Sequence, residues 1–338
     1  MGASRRFWTL VAVFAPLLAP GSVPAGGGFA SDTRSAATGE VECFDQVNVD
    51  GFGNPNNRYA WSMAVFDDQL YVGTYNVLDG GELWRYDGLR WENVMRGGFG
   101  GAGEQGVRSL VVHDGALFAG THPGQGPAMV YRSTDGVTWV PSSAPGLGNP
   151  DNISVRTMIS WNGSLYAGTQ NVVTGMEVRR YDGGSWTPLA TDGISDPRNT
   201  LATQFVSHRG GIYLGTFNST LGAGLYRYDG QVFQAIVGAG APMTSFDGTE
   251  SMSLSEYRGR LYVGVVRFPQ FSVWRSGDGG LGWAEVTPPR PPGPALTPYP
   301  WSMLVHGGVL YVGTWRVAIS ANPFEIGHLL WSTTDGAR

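Results

Sequence analysis

One phrase recurs six times along this chain and limits its fold more than any other feature. It reads LYVGT from Leu70, LFAGT from Leu117, LYAGT from Leu165, IYLGT from Ile212, LYVGV from Leu261 and LYVGT from Leu310. The leading residues lie 47, 48, 47, 49 and 49 positions apart, which is the length of a four-stranded propeller blade. Each copy divides into four short strands. An apolar strand a, such as residues 61–66, turns at Asp67 and Asp68 into strand b, the phrase itself. Strand c, such as residues 82–86, ends at an Asp-Gly pair beginning at Asp87, Asp135, Asp182, Asp229, Asp278 or Asp335, and strand d follows, as from Trp91. Asp-Gly between apolar runs is a hairpin signal. The glycine inside every strand b, at 73, 120, 168, 215, 264 and 313, predicts close backbone approach by a neighbour. A single blade cannot cover both of its faces. The expected fold is therefore all-β, a six-bladed β-propeller of four-stranded antiparallel blades.

The sixth copy stops at Arg338, where its strand d should begin, and the missing strand lies at the other end of the chain. Phe44 to Val47, followed by Gly51, Phe52 and Gly53, matches Trp91 to Val94, followed by Gly98, Phe99 and Gly100, at identical spacing. The N-terminal strand is thus expected to complete blade 6 and remove the open edges of the array. Residues 43–338 are accounted for by the blade period. Ahead of them, Arg5 and Arg6 precede an apolar run from Phe7 to Pro20, too short to span a bilayer. Val23, Pro24 and Ala25 then offer a small-residue cleavage site. This pattern predicts a signal peptide over residues 1–25, a flexible linker over 26–42, and export to the periplasm or the extracellular space. Cys43 is the single cysteine, so no disulfide within the chain supports the fold.

Composition agrees with many short strands and tight turns: 52 glycines, 21 prolines and 12 tryptophans in 338 residues. Net charge is −5, and all 22 basic residues are arginine. An acidic chain without basic runs gives no electrostatic footprint for nucleic acid. Arginine without lysine is the mark of a GC-rich coding sequence and points to a bacterial source. Phosphate loops, dinucleotide fingerprints, nucleophile elbows and paired-histidine zinc helices are absent.

The repeat resembles those of kelch-like and sialidase-like propellers. Ser276 to Trp283 fits the Asp-box of sialidase-type repeats, and Ser133 to Trp139 fits it with one residue missing. In that family Asp-boxes are turns remote from the active centre, so this resemblance implies architecture. A sialidase would also require an arginine triad. Arg108 and Arg156 match two of the three, but the family's Arg-Ile-Pro opening is missing and Glu256-Tyr257 falls at the wrong end of its strand.

A ligand is expected at the mouth of the central channel, where every strand a begins. Counting nine residues back from each recurring Leu or Ile gives Trp61, Arg108, Arg156, Thr203, Met252 and Trp301. Two positions further on lie Met63, Leu110, Met158, Phe205, Leu254 and Met303, a uniformly apolar set expected in the core. The first set segregates, with indoles from blades 6 and 1 beside guanidiniums from blades 2 and 3. Stacking on one side and forked hydrogen bonds on the other suit a sugar carrying a carboxylate or sulfate. The competing reading packs the tryptophans between blades and pairs the arginines with linker acids such as Glu104 or Asp151. The ligand-binding residues expected are Trp61, Arg108, Arg156, Trp301, Glu250 and Asn76, the last two from the polar linkers and b-to-c loops.

His113, His208 and His306 share one position in alternate repeats, but Phe66, Trp161 and Tyr257 hold it elsewhere, so packing is expected there. No cofactor is implied; calcium would find acids and amides in the loops, though no ligand spacing argues for it. Three functions are open: a secreted monomer that binds a polysaccharide or glycoconjugate, a carbohydrate-active enzyme (glycosidase or polysaccharide lyase), and an interaction platform for an extracellular protein.

Overall fold

Each of the six repeats folds as an antiparallel meander, beginning with a strand a that pairs with the recurring phrase. A computed structural model of the chain describes residues 47–100, 103–289, 296–318 and 325–336. The signal peptide, the linker and residues 44–46 of the closing strand lie outside the described residues. The described chain is nearly all β, in curled antiparallel sheets. Strand a runs over Tyr59–Phe66, Glu104–His113, Ser154–Trp161, Leu201–His208, Glu250–Tyr257 and Leu296–His306 in units 1 to 6. Strands b, c and d follow in order in units 1 to 5. In unit 6, strands b and c are described.

The glycine of strand b does what its position predicts. A methyl group on Gly120 would lie 2.5 Å from Ser109 Oγ and 2.6 Å from a methyl of Val155, on strand a of the next unit. Consecutive units are thus in backbone-close contact at their inner strands, and serine hydroxyls fasten them. Ser62 donates to the Val107 carbonyl (2.7 Å), Ser109 to that of Val155 (2.8 Å) and Ser253 to that of Pro300 (2.8 Å). Between these contacts the apolar sets expected from the sequence form cores: Met158 packs with Phe118 and Leu165, and Leu254 with Tyr213 and Leu261.

Met63 departs from its expected place in the core. It is 59% exposed, whereas Leu254 at the equivalent position is 2% exposed. This residue faces the preceding unit, and for unit 1 that neighbour would be unit 6. Among the described residues, a methyl on Gly313 would likewise meet only Ser302 of its own unit.

The linkers into strand a share a left-handed double turn, at Gly51-Phe52, Gly98-Phe99, Gly146-Leu147 and Gly193-Ile194. Phe99 packs from this turn onto Tyr131 and Trp139 of unit 2, and Phe52 packs in the same way onto Trp84 and Trp91 of unit 1. The first turn is therefore docked as though a strand d preceded it. No helix among the described residues is long and apolar enough to cross a membrane.

Candidate functional site

Each strand a carries a β-bulge near its start. The pairing with strand b slips between Ala60 and Ser62, Val107 and Ser109, Val155 and Thr157, Ala202 and Phe205, Ser251 and Ser253, and Pro300 and Ser302. The extra residue is Trp61, Arg108, Arg156, Thr203 (with Gln204), Met252 or Trp301, the ring picked out by counting along the repeat. A bulge leaves its extra residue outside the ladder and re-aims the side chain. Single bridges set the height of the ring by joining the end of strand b to the start of the next strand a, as in Tyr75 with Gly106 and Phe217 with Glu250.

Arg156 of unit 3 reaches across to unit 5, where its Nη2 donates to Glu250 Oε1 at 3.2 Å. Their side chains are 15% and 10% exposed, so the pair is largely shielded from solvent. The linker acids Glu104 and Asp151 are not its partners. Arg108 stands beside it with its guanidinium carbon 4.8 Å from the centre of the Trp61 ring, in a cation–π contact. Trp61 in turn lies over Gly106, where a methyl group would come within 2.5 Å of the indole.

Burial governs the charges. It draws the Arg108 guanidinium down to about 9; nearby Arg156 acts in the same sense and Glu250 opposes both. Burial raises the Glu250 carboxyl, against the pull of Arg156 and Arg108. His122, edge-on to Trp61 at 5.5 Å, is lowered to about 4 by burial and then by the two arginines, so it is neutral at physiological pH.

Aromatic rings crowd the same opening. Tyr59 stacks at 6.1 Å on Trp61 and at 6.4 Å on Trp301, which is 39% exposed. Tyr75 lies 4.3 Å from Trp61, and Trp315 lies 5.8 Å from both Trp301 and Tyr299. The expected residues Trp61, Arg108, Arg156, Glu250 and Trp301 are thus brought together.

Asn76 is not among them. It is fully buried, and its amide is committed to the fold: Nδ2 donates to Asn57 Oδ1 (3.0 Å) and Asp79 Oδ2 (3.3 Å), while Oδ1 accepts from the Leu78 and Asp79 amides. Asn171 with Asn152 and Asn218 with Asn199 repeat this clasp. A short amide side chain satisfies loop backbone well, and that demand has claimed these residues.

Sequence reasoning missed Tyr59, Tyr299, Tyr75 and Trp315, whereas His122 was among the b-to-c loop residues expected on this face. The signal was the repeat itself: two of the missed residues fall two residues before the bulge, and two directly follow the phrase's Gly-Thr, as His122 does. Among the described residues no group of three His, Cys, Asp or Glu is placed to hold a metal ion. His113 bonds Ser160 and His208 packs against Tyr213.

The fold is β-propeller-like. No family model matches the chain, and no curated protein sequence does. Among solved structures it is similar to PorZ, an essential bacterial surface component of the type IX secretion system of Porphyromonas gingivalis. That likeness has a TM-score of 0.56 and 14% identity over 84% of this chain and 41% of PorZ. It is also similar to a triple arginine-to-alanine mutant of AofleA from Arthrobotrys oligospora, with a TM-score of 0.53 and 12% identity over 82% of this chain and 83% of that one. At such identities the likeness is one of fold.

Proposed function

We propose that this chain is a secreted six-bladed β-propeller, fastened by its own N-terminal strand, whose channel mouth binds a glycan or glycoconjugate. The observation that carries the binding reading is the aromatic wall of Tyr59, Trp61, Trp301 and Trp315 beside the buried arginines. Sugar rings present an apolar C–H face and a rim of hydroxyls, and a site made of ring faces and N–H donors complements both. Fastening is supported by the docked turn at Phe52 and by the stack of Tyr59 on Trp301, which brings the first unit to the last; the exposed Met63 and the uncontacted Gly313 mark where the inner strands of units 6 and 1 would still have to come together. Export rests on the sequence of residues 1–25.

Binding is favoured over hydrolysis by the charge inventory. Two-carboxylate glycosidases need a second acid about 5–9 Å from the first. Among the described residues, the carboxylate facing the bulge ring is Glu250, and it is held by Arg156. A glycan array followed by titration of the best hits tests the reading. Trp301→Ala, at an exposed ring, is expected to weaken sugar binding at least about tenfold while leaving the melting temperature within a few degrees. Turnover of a uronate, sialate or neutral glycan would replace this reading with the enzymatic one.

A further inference from the structure

Resting on the glycan reading above, we infer that the group recognised inside the channel is an anion on the sugar, a carboxylate or a sulfate ester, and that Arg108 takes its charge. Two guanidiniums and one carboxylate meet at the bulge ring. Arg156 and Glu250 form one pair. Arg108 hydrogen-bonds to no acceptor among the described residues, and its close neighbour is the face of Trp61. The described ring thus carries one uncompensated positive charge.

Its hydrogen-bond inventory leans the same way. Arg156 Nε and Trp61 Nε1 are buried donors without partners. Thr203 spends its hydroxyl on the Ser251 carbonyl, and Met252 has none to offer. A confined space with surplus donors and one surplus cation suits a group that only accepts, which describes a carboxylate or sulfate. A neutral sugar hydroxyl would leave the charge of Arg108 unpaired, and burying an unpaired charge is costly.

Geometry sets the orientation. Arg108 stands two residues further in along its strand than Gly106, on which the mouth end of strand b is paired. Tyr59, two residues before its own bulge residue, stands nearer the mouth, and Trp301, at the level of Arg108 in the bulge ring, stacks on it. The sugar ring therefore lies on the aromatic wall with its charged substituent pointing down the channel, which suits the terminal residue of a chain.

The test is a calorimetric titration at fixed ionic strength with methyl glucuronide, glucose 6-sulfate, methyl glucoside and inorganic sulfate. At least one acidic sugar is expected to bind about tenfold or more tightly than methyl glucoside, and the ratio between the two acids distinguishes carboxylate from sulfate ester. Arg108→Met is expected to erase the difference between acidic and neutral sugars. Its melting temperature should match or exceed that of the parent, since an apolar isostere relieves a buried charge. Equal binding of acidic and neutral sugars overturns the inference and leaves the glycan reading standing. Inorganic sulfate binding as tightly as the sulfated sugar overturns the glycan reading and leaves the anion site. An acid preference that survives Arg108→Met overturns the assignment to Arg108, and no binding of any probe overturns both.

Discussion

Arg156 and Glu250 come from units 3 and 5, 94 positions apart in sequence, and pair at the ring of bulges. Glu250→Gln would leave two guanidiniums facing each other with no carboxylate between them. Breaking one side of a buried pair costs about 3–5 kcal/mol, so denaturant unfolding of this variant should show a loss of that order. The same carboxylate sets a pH dependence for an anionic ligand. Its raised pKa means that acidification neutralises it before ordinary glutamates, adding to the net positive charge, so anion affinity should rise as pH falls. Arg108, though lowered by burial, stays charged as a guanidinium, so it adds no step of its own. His122, at about 4, contributes no step between pH 5 and 8. Affinity measured across pH 5–8 checks the rise, and a step near 6.5 would contradict the assignment of His122. The individual residues of the site were legible because counting along the repeat reaches them. The Arg156–Glu250 pairing was not, since a period gives angular positions around an axis but not the reach of a side chain across it. Asn76 was misread because an asparagine in a loop looks the same in sequence whether it serves a ligand or its own backbone.

At the scale of the strand, the bulge determines which side chains meet at the start of the strands. It puts one residue per unit outside the ladder, and those residues, from Trp61 round to Trp301, share no chemistry, so nothing in their identities announces the distortion. The four-strand division and the role of the strand-b glycine were legible, because hairpin turns and close approach demand particular residues. Gly120→Ala should cost about 1–3 kcal/mol through overpacking against Ser109 and Val155. Gly313→Ala gives the matching measurement where unit 1 would have to fit. If the units close as proposed, it should destabilise by the same order, and a neutral result would leave that face without a neighbour.

The whole molecule repeats one joint, in which a small residue yields space and a hydroxyl of strand a reaches the next inner strand. Unit count and period were readable from six copies of a phrase. Closure was read from the match of residues 44–53 to residues 91–100, and the strand that would carry it, residues 44–46, lies outside the described residues. If closure is as proposed, the repeat register would set residue 45 opposite residue 332, as Glu92 falls opposite Arg85 in unit 1. Asp45→Cys with Ser332→Cys, in a Cys43→Ser background, should therefore cross-link under oxidation and raise the melting temperature by several degrees. Failure to cross-link while the protein stays folded would place the first strand elsewhere. The stack of Tyr59 on Trp301 joins the first unit to the last at the spot where a sugar is proposed to rest. If a sugar does rest there, it would act as a latch, tying the first unit to the last whenever the site is filled.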